Sequence, residues 1–345
     1  MSRAVPRTIR RSLALGLGTL LLAGTAACGS TAAADPAAGS ATATAAPGST
    51  AVVVGAVSNG AATETSIDVP TVAGIRDQLP AAVKERGTLV IGLGALPAGF
   101  PPLAYVGDDQ QTLTGAEPDL GRLVAAVLGL TPDIRNSTWE NLFVGIDSGR
   151  TDIGFSNITD TEERKEKYDF ASYRKDNLAF LTLASNAWEF GDDPANLAGQ
   201  RVAVGQGTNQ ERILLAWQKK LQGEGKNFDV VYFPDLNSTL LALKAGNLDL
   251  YFGPNPASAY QVRLAESTAT QYKLAGQYSG AGETLQGLIA ATSKKGSGLN
   301  EPVAAAINYL IENGQYEKWL AAYNLAGEAV PSSEINPPGL PKSDT

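Results

Sequence analysis

The sequence predicts an α/β protein made of two similar lobes, each built on a largely parallel β-sheet. After about residue 70, apolar strand-like runs alternate with amphipathic helices, which is the pattern of a sheet covered by helices. A unit of helix, glycine, Gly-x-x-Asp and apolar strand also occurs twice, at 142–155 and at 240–252. In each unit the glycine supplies the left-handed residue that ends the helix. Helix–glycine–strand units are common, so coincidence is the alternative, but two copies of Gly-x-x-Asp favour two paired lobes.

The composition excludes several classes of protein. The 345 residues contain 27 basic and 35 acidic side chains, for a net charge of -8, and an acidic surface repels nucleic acid. There is no histidine and only one cysteine, Cys28. Ser-His-Asp and Cys-His catalysis, disulfide frameworks and cysteine-based metal clusters are therefore excluded. We expect a protein without catalytic residues, metal or cofactor.

The N-terminus has the pattern of an export signal. Residues 1–11 are basic, residues 12–23 are apolar but too short to span a bilayer, and small residues then lead to Cys28. This segment, 1–28, is predicted to be a signal peptide, and its end resembles a bacterial lipobox. The resemblance implies a lipid on Cys28 that holds the protein at the outer face of the cytoplasmic membrane. Arg10-Arg11 leaves both Sec and twin-arginine export open.

The remaining chain is divided by composition and by apolar periodicity. Residues 29–69 are rich in Ala, Gly, Ser and Thr and are predicted to be a flexible tether. Residues 120–128 carry an apolar stripe with the i, i+3, i+4 spacing of a core helix. Apolar runs at 178–184 and 285–290 are predicted to cross between the lobes as a two-strand hinge. The predicted boundaries are 70–185 and 289–335 for lobe 1, 186–288 for lobe 2, and a loose tail at 336–345.

Two strand-to-helix junctions have the signature of an anion site. Thr159 and Glu162, and likewise Thr208 and Glu211, have the spacing of a capping box that begins a helix directly after a strand. Ligands of open α/β sheets bind at that end of the strands, and the free N–H groups of a helix N-terminus favour an anion. Capping boxes also begin many helices that bind nothing, so each junction taken alone could be an ordinary helix start without a ligand. Their coincidence in both halves favours binding.

Two further residues support an anion site at these junctions. Gly207 allows the backbone to approach a ligand closely, and Arg164 offers the planar donors that suit a carboxylate. The structural alternative for Arg164 is a surface ion pair with Glu163 or Asp169.

A set of motifs in fixed order resembles a known family. The motifs are Gly87-Thr-Leu-Val-Ile-Gly92, Phe100-Pro-Pro102, Gly115-Ala-Glu-Pro-Asp119-Leu120, Trp139-Glu-Asn-Leu142, Ser148-Gly149-Arg-Thr-Asp152, Thr159-Asp-Thr-Glu-Glu-Arg164-Lys and Asp169-Phe170. Over roughly 80–325 they resemble the polar amino-acid branch of the periplasmic solute-binding proteins, family 3. The resemblance implies a type II periplasmic-binding-protein clamshell that works as a monomer, captures a small carboxylate-bearing solute and serves the permease of an ABC importer.

The resemblance also implies roles for individual residues. Arg164 matches the arginine that grips the α-carboxylate, and Thr159 matches a hydroxyl and amide contact beside it. Gly207 and Thr208 match the anion contact of the second lobe. The lining positions that the resemblance implies are Asn157, Phe100 and Trp139, the last two as aromatic walls. For Trp139 the alternative is a half-buried core aromatic.

The sequence departs from the family where the ligand ammonium would bind. Pro254 stands where amino-acid binders usually have an aspartate, and Ala95-Leu-Pro97 replaces the acid after the first strand. The ligand therefore lacks a buried amine, or another acid replaces the partner, with Asp160, Glu117 and Glu211 as candidates. Two other functions stay open at this point: a dehydratase on the same fold that uses an acid such as Glu117, and a sensory or interaction lipoprotein.

Overall fold

The computed structural model describes residues 48–342. Cys28 and the predicted signal peptide at 1–28 lie outside the described residues. In chain order the strands are β1 (Ser49–Val54), β2 (Thr65–Pro70), β3 (Thr88–Leu93), β4 (Tyr105–Val106), β5 (Leu113–Thr114), β6 (Thr131–Asn136), β7 (Ile153–Gly154), β8 (Tyr168–Lys175), β9 (Asn177–Leu183), β10 (Arg201–Val204), β11 (Asp229–Tyr232), β12 (Leu250–Pro254), β13 (Tyr272–Ser279) and β14 (Leu288–Lys294).

The helices lie mostly between these strands. The α-helices are α1 (Ala73–Arg76), α2 (Ala81–Arg86), α3 (Ala116–Val127), α4 (Trp139–Asp147), α5 (Asn209–Gly223), α6 (Leu236–Lys244), α7 (Asn255–Ala265), α8 (Asn300–Glu312) and α9 (Gln315–Ala322). Short 3₁₀ helices are formed by Arg164–Glu166, Pro194–Leu197 and Ala326–Glu328. No helix within residues 48–342 is both long and apolar enough to cross a bilayer.

Two five-stranded sheets with the same plan define the two lobes. The sheet of lobe 1 has the order β6-β3-β7-β14-β8, and that of lobe 2 has the order β11-β10-β12-β9-β13. In each sheet the second strand of this order, β3 or β10, runs parallel to both of its neighbours, and the last two strands pair in antiparallel fashion. The predicted two-lobe α/β fold is confirmed.

The repeated Gly-x-x-Asp unit has the same role in both lobes. Gly149 and Gly246 adopt left-handed φ values of 72° and 71° just after α4 and α6. The aspartate that follows each glycine binds the strand with two parallel neighbours, which is β3 in lobe 1 and β10 in lobe 2. The Asp152 carboxylate accepts the Val90 N–H at 2.7 Å, and the Asp249 carboxylate accepts the Arg201 N–H at 2.8 Å. The unit therefore attaches the end of its helix to β3 in lobe 1 and to β10 in lobe 2.

The lobes are joined by two chain crossings that bind each other. Asp176 donates its backbone N–H to the Gly287 carbonyl at 2.7 Å and accepts the Gly280 N–H at 2.9 Å. The predicted first boundary, between 185 and 186, is wrong. The apolar run at 178–184 is β9, which lies between β12 and β13 inside the sheet of lobe 2, and its apolar character reflects burial there. The chain crosses earlier, at Asp176.

The core of lobe 1 is formed where the apolar stripe of α3 meets the sheet and the C-terminal helices. Leu120, Leu123, Val124, Val127 and Leu128 are fully buried, as their spacing predicts. They belong to one cluster with side chains of α8 and α9, including the fully buried Trp319. The core of lobe 2 is a separate cluster around the stacked rings of Phe180 and Phe252, whose centroids lie 4.4 Å apart.

The predicted tether at 29–69 is wrong for its described part. β1 and β2 form an antiparallel hairpin whose Val52, Val54, Ile67 and Val69 join the core of lobe 1. The sequence misleads here because a run of valines is short and is flanked by residues typical of linkers. At the hairpin's connecting loop, Ala61 also packs with a tyrosine of α7 in lobe 2.

The predicted loose tail at 336–345 is also wrong for residues 336–342. This segment, which we call the C-terminal strap, runs beside lobe 1 and reaches lobe 2. Leu340 donates its N–H to the Asp160 carbonyl at 3.2 Å and accepts the Glu162 N–H at 3.0 Å, both in lobe 1. The Leu340 side chain packs in the core cluster of lobe 2. The proline and polar residues of the strap are typical of a disordered end. The strap is ordered by backbone hydrogen bonds, which require no apolar periodicity in the sequence and therefore could not be predicted from it.

Candidate functional site

A cavity of about 480 Å³ lies between the lobes. Its walls come from the segments 94–100 after β3, 138–140 after β6 and 156–157 after β7, from the last residue of β10 and of β11 with the segments that follow (204–206 with 208–210, and 232–236 with 239), and from 251–254 of β12 itself. This is where open α/β sheets bind ligands, and the volume lies in the range of small-molecule sites, roughly 300–1,000 Å³.

Four of the predicted site residues line this cavity: Phe100, Trp139, Asn157 and Thr208. Phe100 and Trp139 are half-buried, and the Trp139 ring packs edge-on against Phe143 with centroids 5.0 Å apart. Trp139 therefore packs on its lobe, as the core alternative predicts, and also lines the cavity; its contact with a ligand stays a prediction.

The junction in lobe 2 has the predicted helix start. Thr208 is the N-cap of α5, and its hydroxyl accepts the Glu211 N–H at 3.2 Å. The Glu211 carboxylate reaches back and accepts the Gly207 N–H at 2.6 Å. The predicted helix cap by Thr208 is confirmed, and Glu211 completes a variant of the capping box in which it binds the N–H of the residue before the N-cap. It brings the first turn of a 15-residue helix to the cavity, with Asn209 and Gln210 in the wall.

The junction in lobe 1 is different, and the predicted capping box at Thr159 and Glu162 is wrong. No α-helix begins there; the segment continues into the short 3₁₀ turn at Arg164–Glu166. The Thr159 hydroxyl instead donates to the Asp176 carboxylate at 2.7 Å, and Thr161 accepts the Arg164 N–H at 3.1 Å. The Thr-x-x-Glu spacing cannot distinguish these cases, because the competing acceptor Asp176 lies 17 residues further along the chain, at the crossing between β8 and β9.

Arg164 lies in the gap between the lobes. Its guanidinium donates to the Thr159 carbonyl at 2.9 Å and to the Gly207 carbonyl of lobe 2 at 3.2 Å. Its central carbon lies 5.4 Å from the ring centroid of Trp139, whose indole N–H also donates to the Gly207 carbonyl, at 3.2 Å. Burial lowers the pKa of Arg164 to about 10, which keeps it charged at neutral pH. The alternative of a surface ion pair is wrong.

Arg164, Thr159 and Gly207 thus lie together, next to the cavity wall at Trp139 and outside the lining itself. A guanidinium has five N–H donors. Two of those of Arg164 are used in its bonds to the two carbonyls, and the others have no hydrogen-bond partner among residues 48–342. The protein therefore leaves part of this cation available in a half-buried place at the interlobe gap.

The cavity floor at Asn157 is fixed by a buried charge cluster. Asn157 adopts a left-handed φ of 52°, and its N–H donates to the Glu117 carboxylate at 2.9 Å. Arg174, which is 1% exposed, donates to Asn157 Oδ1 at 2.5 Å and to Glu117 at 2.8 Å, and also pairs with Glu328. The neighbouring carboxylates raise the pKa of Arg174 despite its burial. Sequence inspection missed Arg174, because a charged residue inside an apolar strand gives no sign of its partners.

None of the three acids considered as ammonium partners lines the cavity. Glu117 is fully buried and is used by Arg174, Asn157 and the Tyr173 hydroxyl. Glu211 is part of the capping box. Asp160 is fully buried beside Lys165, 3.3 Å away, and burial raises the pKa of its carboxyl to about 7.

Asp176 is a second residue that the sequence inspection missed. It is 1% exposed, and one carboxylate oxygen, Oδ2, accepts both the Thr159 hydroxyl of lobe 1 and the side-chain amide of Asn209 in lobe 2, the latter at 3.0 Å. Burial raises the pKa of Asp176. The sequence signal is the polar run 174–177, which ends one strand-like segment and precedes the apolar run at 178–184. This carboxylate ties a residue of each lobe to the hinge.

A smaller cavity of about 300 Å³ lies beside α7, between Asn255–Arg263 and Tyr323–Glu328. Its buried acid, Glu328, already pairs with Arg174, and most of its wall comes from helix sides rather than from strand ends. It is the weaker candidate for a ligand site on both grounds.

The two similar sheets, the paired crossings and the cavity at the strand ends define a two-lobe binding protein of the type II fold. Residues 94–326 match the family described as bacterial extracellular solute-binding proteins, family 3, and the chain belongs to that family.

Similar proteins agree with this assignment. The chain is 34% identical over 170 residues to the L-cystine-binding protein TcyJ of Escherichia coli (strain K12), covering 48% of this chain and 59% of that one. It is 27% identical over 264 residues to the arginine-binding protein ArgT of Corynebacterium glutamicum, covering 76% and 82%. The alignment thus spans little more than half the length of the cystine-binding relative.

Solved structures show the same fold. An amino acid ABC transporter substrate-binding protein, AbpA of Streptococcus pneumoniae bound to L-arginine, superposes with a TM-score of 0.59 at 23% identity, covering 71% of this chain and 98% of that one. The ancestral amino-acid-binding protein AncCDT-1, a precursor of cyclohexadienyl dehydratase, gives a TM-score of 0.58 at 22% identity, covering 70% and 97%.

Proposed function

We propose that this protein is the solute-binding component of an ABC importer and that it captures a small carboxylate-bearing solute, an amino acid or a derivative, by closing its two lobes. The observation that carries the proposal is the position of Arg164. Its guanidinium reaches from lobe 1 to the Gly207 carbonyl of lobe 2 while retaining donors that the described protein does not use. Family membership and the names of the relatives support the same class of ligand.

In the proposed mechanism the ligand carboxylate takes the unused donors of Arg164 and the amide groups at the start of α5. Thr208 and its capping box hold that helix start rigid, so the anion meets oriented N–H groups. Asp176 links the residues behind both contacts, Thr159 and Asn209, and therefore couples ligand contact to the hinge. A few charge-assisted hydrogen bonds, each about 1.5–3 kcal/mol, suffice to shift a two-state hinge.

An enzymatic function receives no support from the site. The acid required by the dehydratase alternative, Glu117, is enclosed by Arg174, Tyr173 and Asn157 and lies outside the cavity lining. A role in sensing or in protein interaction has no specific observation in its favour. The proposal also includes an ABC permease as partner, a monomeric state and a lipid on Cys28. Metabolic labelling with a fatty acid tests the lipid anchor, and the label should be lost in Cys28→Ser.

Thermal unfolding in the presence of ligand tests the proposal. We expect at least one carboxylate in a panel of amino acids, dicarboxylates and opine-like acids to stabilise the protein, and Arg164→Ala to weaken that binding about 10- to 100-fold, the equivalent of one charge-assisted hydrogen bond. Arg212→Ala is the matched control. Arg212 also joins the lobes, through a 2.8 Å bond to Glu163, but lies outside the cavity lining.

The control separates ligand binding from general loss of interlobe contacts. Arg212→Ala should lower the stability of the free protein and retain the ligand-dependent shift. Equal loss of that shift in both variants, or full retention of it in Arg164→Ala, would remove Arg164 from the binding site.

A further inference from the structure

We propose that Tyr251 is the specificity-determining residue of the interlobe cavity and that it selects carboxylates whose side chain is uncharged and aromatic or apolar. This inference rests on the proposed function, since it concerns the part of the ligand that extends from the carboxylate into the cavity.

Tyr251 lies on the cavity wall within β12, three residues before the strand ends at Pro254. Its ring extends along the strand over Gly253. A Cβ atom at Gly253 would come within 2.2 Å of the Tyr251 hydroxyl oxygen, so only glycine leaves room for the phenol there. Pro254, the next residue, has no N–H and also lines the cavity. The exposed part of β12 therefore presents a phenol and a proline ring to the ligand.

The Tyr251 hydroxyl is a neutral group that lacks a partner. It makes no hydrogen bond with any other residue in the described range 48–342, and Tyr251 is half-buried in the cavity wall, where a ligand in the cavity contacts it. Burial raises the pKa of this phenol to about 12, which keeps it protonated throughout the physiological range. It can accept or donate a hydrogen bond but cannot neutralise a cation.

The charged side chains in the lining give little help to a cationic ligand. No lysine or arginine lines the cavity, and the acids that do are Glu140 and Asp235. Asp235 is the N-cap of α6, where its two oxygens accept the backbone N–H and the hydroxyl of Ser238 at 2.8 and 3.3 Å. Glu140 is exposed on the first turn of α4. A guanidinium or ammonium side chain placed against Tyr251 would lose water there, and the remaining acid of the lining, Glu140, belongs to the opposite lobe and is itself solvated, so it offsets little of that cost.

Aromatic walls from both lobes suit an uncharged side chain. Lobe 1 contributes Phe100 and Trp139, and lobe 2 contributes Tyr232 and Phe233 besides Tyr251. Rings of this kind bury large apolar area and stack on a planar or apolar partner at little conformational cost. The lining thus combines an anion site at one side with an apolar, hydrogen-bonding wall at the other.

The test measures binding of L-phenylalanine and L-arginine by calorimetry, because the two share the carboxylate and differ in side-chain charge. The wild type should bind phenylalanine at least tenfold more tightly than arginine. Tyr251→Glu, which places an anion on the same wall, should shift that ratio at least tenfold toward arginine. Tyr272→Phe is the matched control, since Tyr272 belongs to the same lobe but lies outside the lining, and it should leave the ratio unchanged.

A second variant guards against failure of Tyr251→Glu to fold. Tyr251→Ala should lower the affinity for phenylalanine at least tenfold and leave that for arginine nearly unchanged. The inference is overturned if the wild type binds arginine as tightly as phenylalanine in an Arg164-dependent manner, or if both Tyr251 variants keep the wild-type ratio. Absence of binding to any carboxylate would overturn the proposed function and this inference with it.

Discussion

Replacement of Leu340 by alanine should destabilise the whole protein although the residue lies near the C-terminus. The strap is bonded to lobe 1 through its backbone, whereas the Leu340 side chain, 7% exposed, packs in the core of lobe 2. The change removes three buried carbons, worth about 0.8 kcal/mol each, and adds the cost of the resulting cavity. We expect a loss of about 2–4 kcal/mol and, for a protein of this size, a fall in Tm of about 4–10 °C.

Thermal and denaturant unfolding of Leu340→Ala and Leu241→Ala provides the assay. Leu241 is 68% exposed on α6 and serves as the control for the same chemical change at the surface, with an expected shift in Tm of about 1 °C or less. Small-angle scattering of the free protein should also show a larger radius for Leu340→Ala, because the side chain holds lobe 2 against a strap that belongs to lobe 1. Equal Tm values for the two variants would refute the assignment of the strap as an interlobe tie.

Two further predictions concern buried groups near the hinge. Because burial raises the native pKa of Asp160 to about 7, its protonated form favours the folded state, and this contribution is lost as the pH rises toward 7. The free energy of unfolding of Asp160→Asn relative to that of the wild type should therefore increase between about pH 4 and pH 7, by up to about 1.4 kcal/mol per pH unit, and stay constant above pH 7. A difference between the two proteins that does not change with pH would contradict this. Gly280→Ala should destabilise by about 3 kcal/mol or more in denaturant unfolding, since its Cβ would come within 1.7 Å of the Asp176 carboxylate, whereas Gly74→Ala, with open space around it, should be neutral.

The elements that bury one apolar face were predictable from the sequence. The stripe of α3 and the alternation of strands and helices follow from the need to cover each sheet, and local spacing is enough to detect them. The lobe 2 capping box was predictable for the same reason, since Thr208 and Glu211 satisfy N–H groups within their own turn. The duplicated Gly-x-x-Asp unit predicted two equivalent lobes because its helix end and strand start are local features, although the strand that each aspartate binds lies 62 or 48 residues away.

Predictions failed where a partner distant in sequence decides the conformation. Thr159 has the spacing of a helix cap, yet its hydroxyl binds Asp176 across the hinge. β1 looked like part of a linker, because its partner strand and its place in the lobe 1 core are set by contacts with α3 and α9. The C-terminal strap was missed because backbone hydrogen bonds to lobe 1 leave no pattern in the side chains.

The sequence by itself determined the fold class, the two lobes, the lobe 2 helix start and the set of side chains suited to a carboxylate. The tertiary structure decided which of these meet. It placed Phe100, Trp139, Asn157 and Thr208 in the cavity wall, and it placed Arg164 in the gap beside that wall, bonded to the opposite lobe. Local periodicity is encoded by neighbours along the chain, whereas the position of a charge between two lobes depends on how two separately folded surfaces fit together.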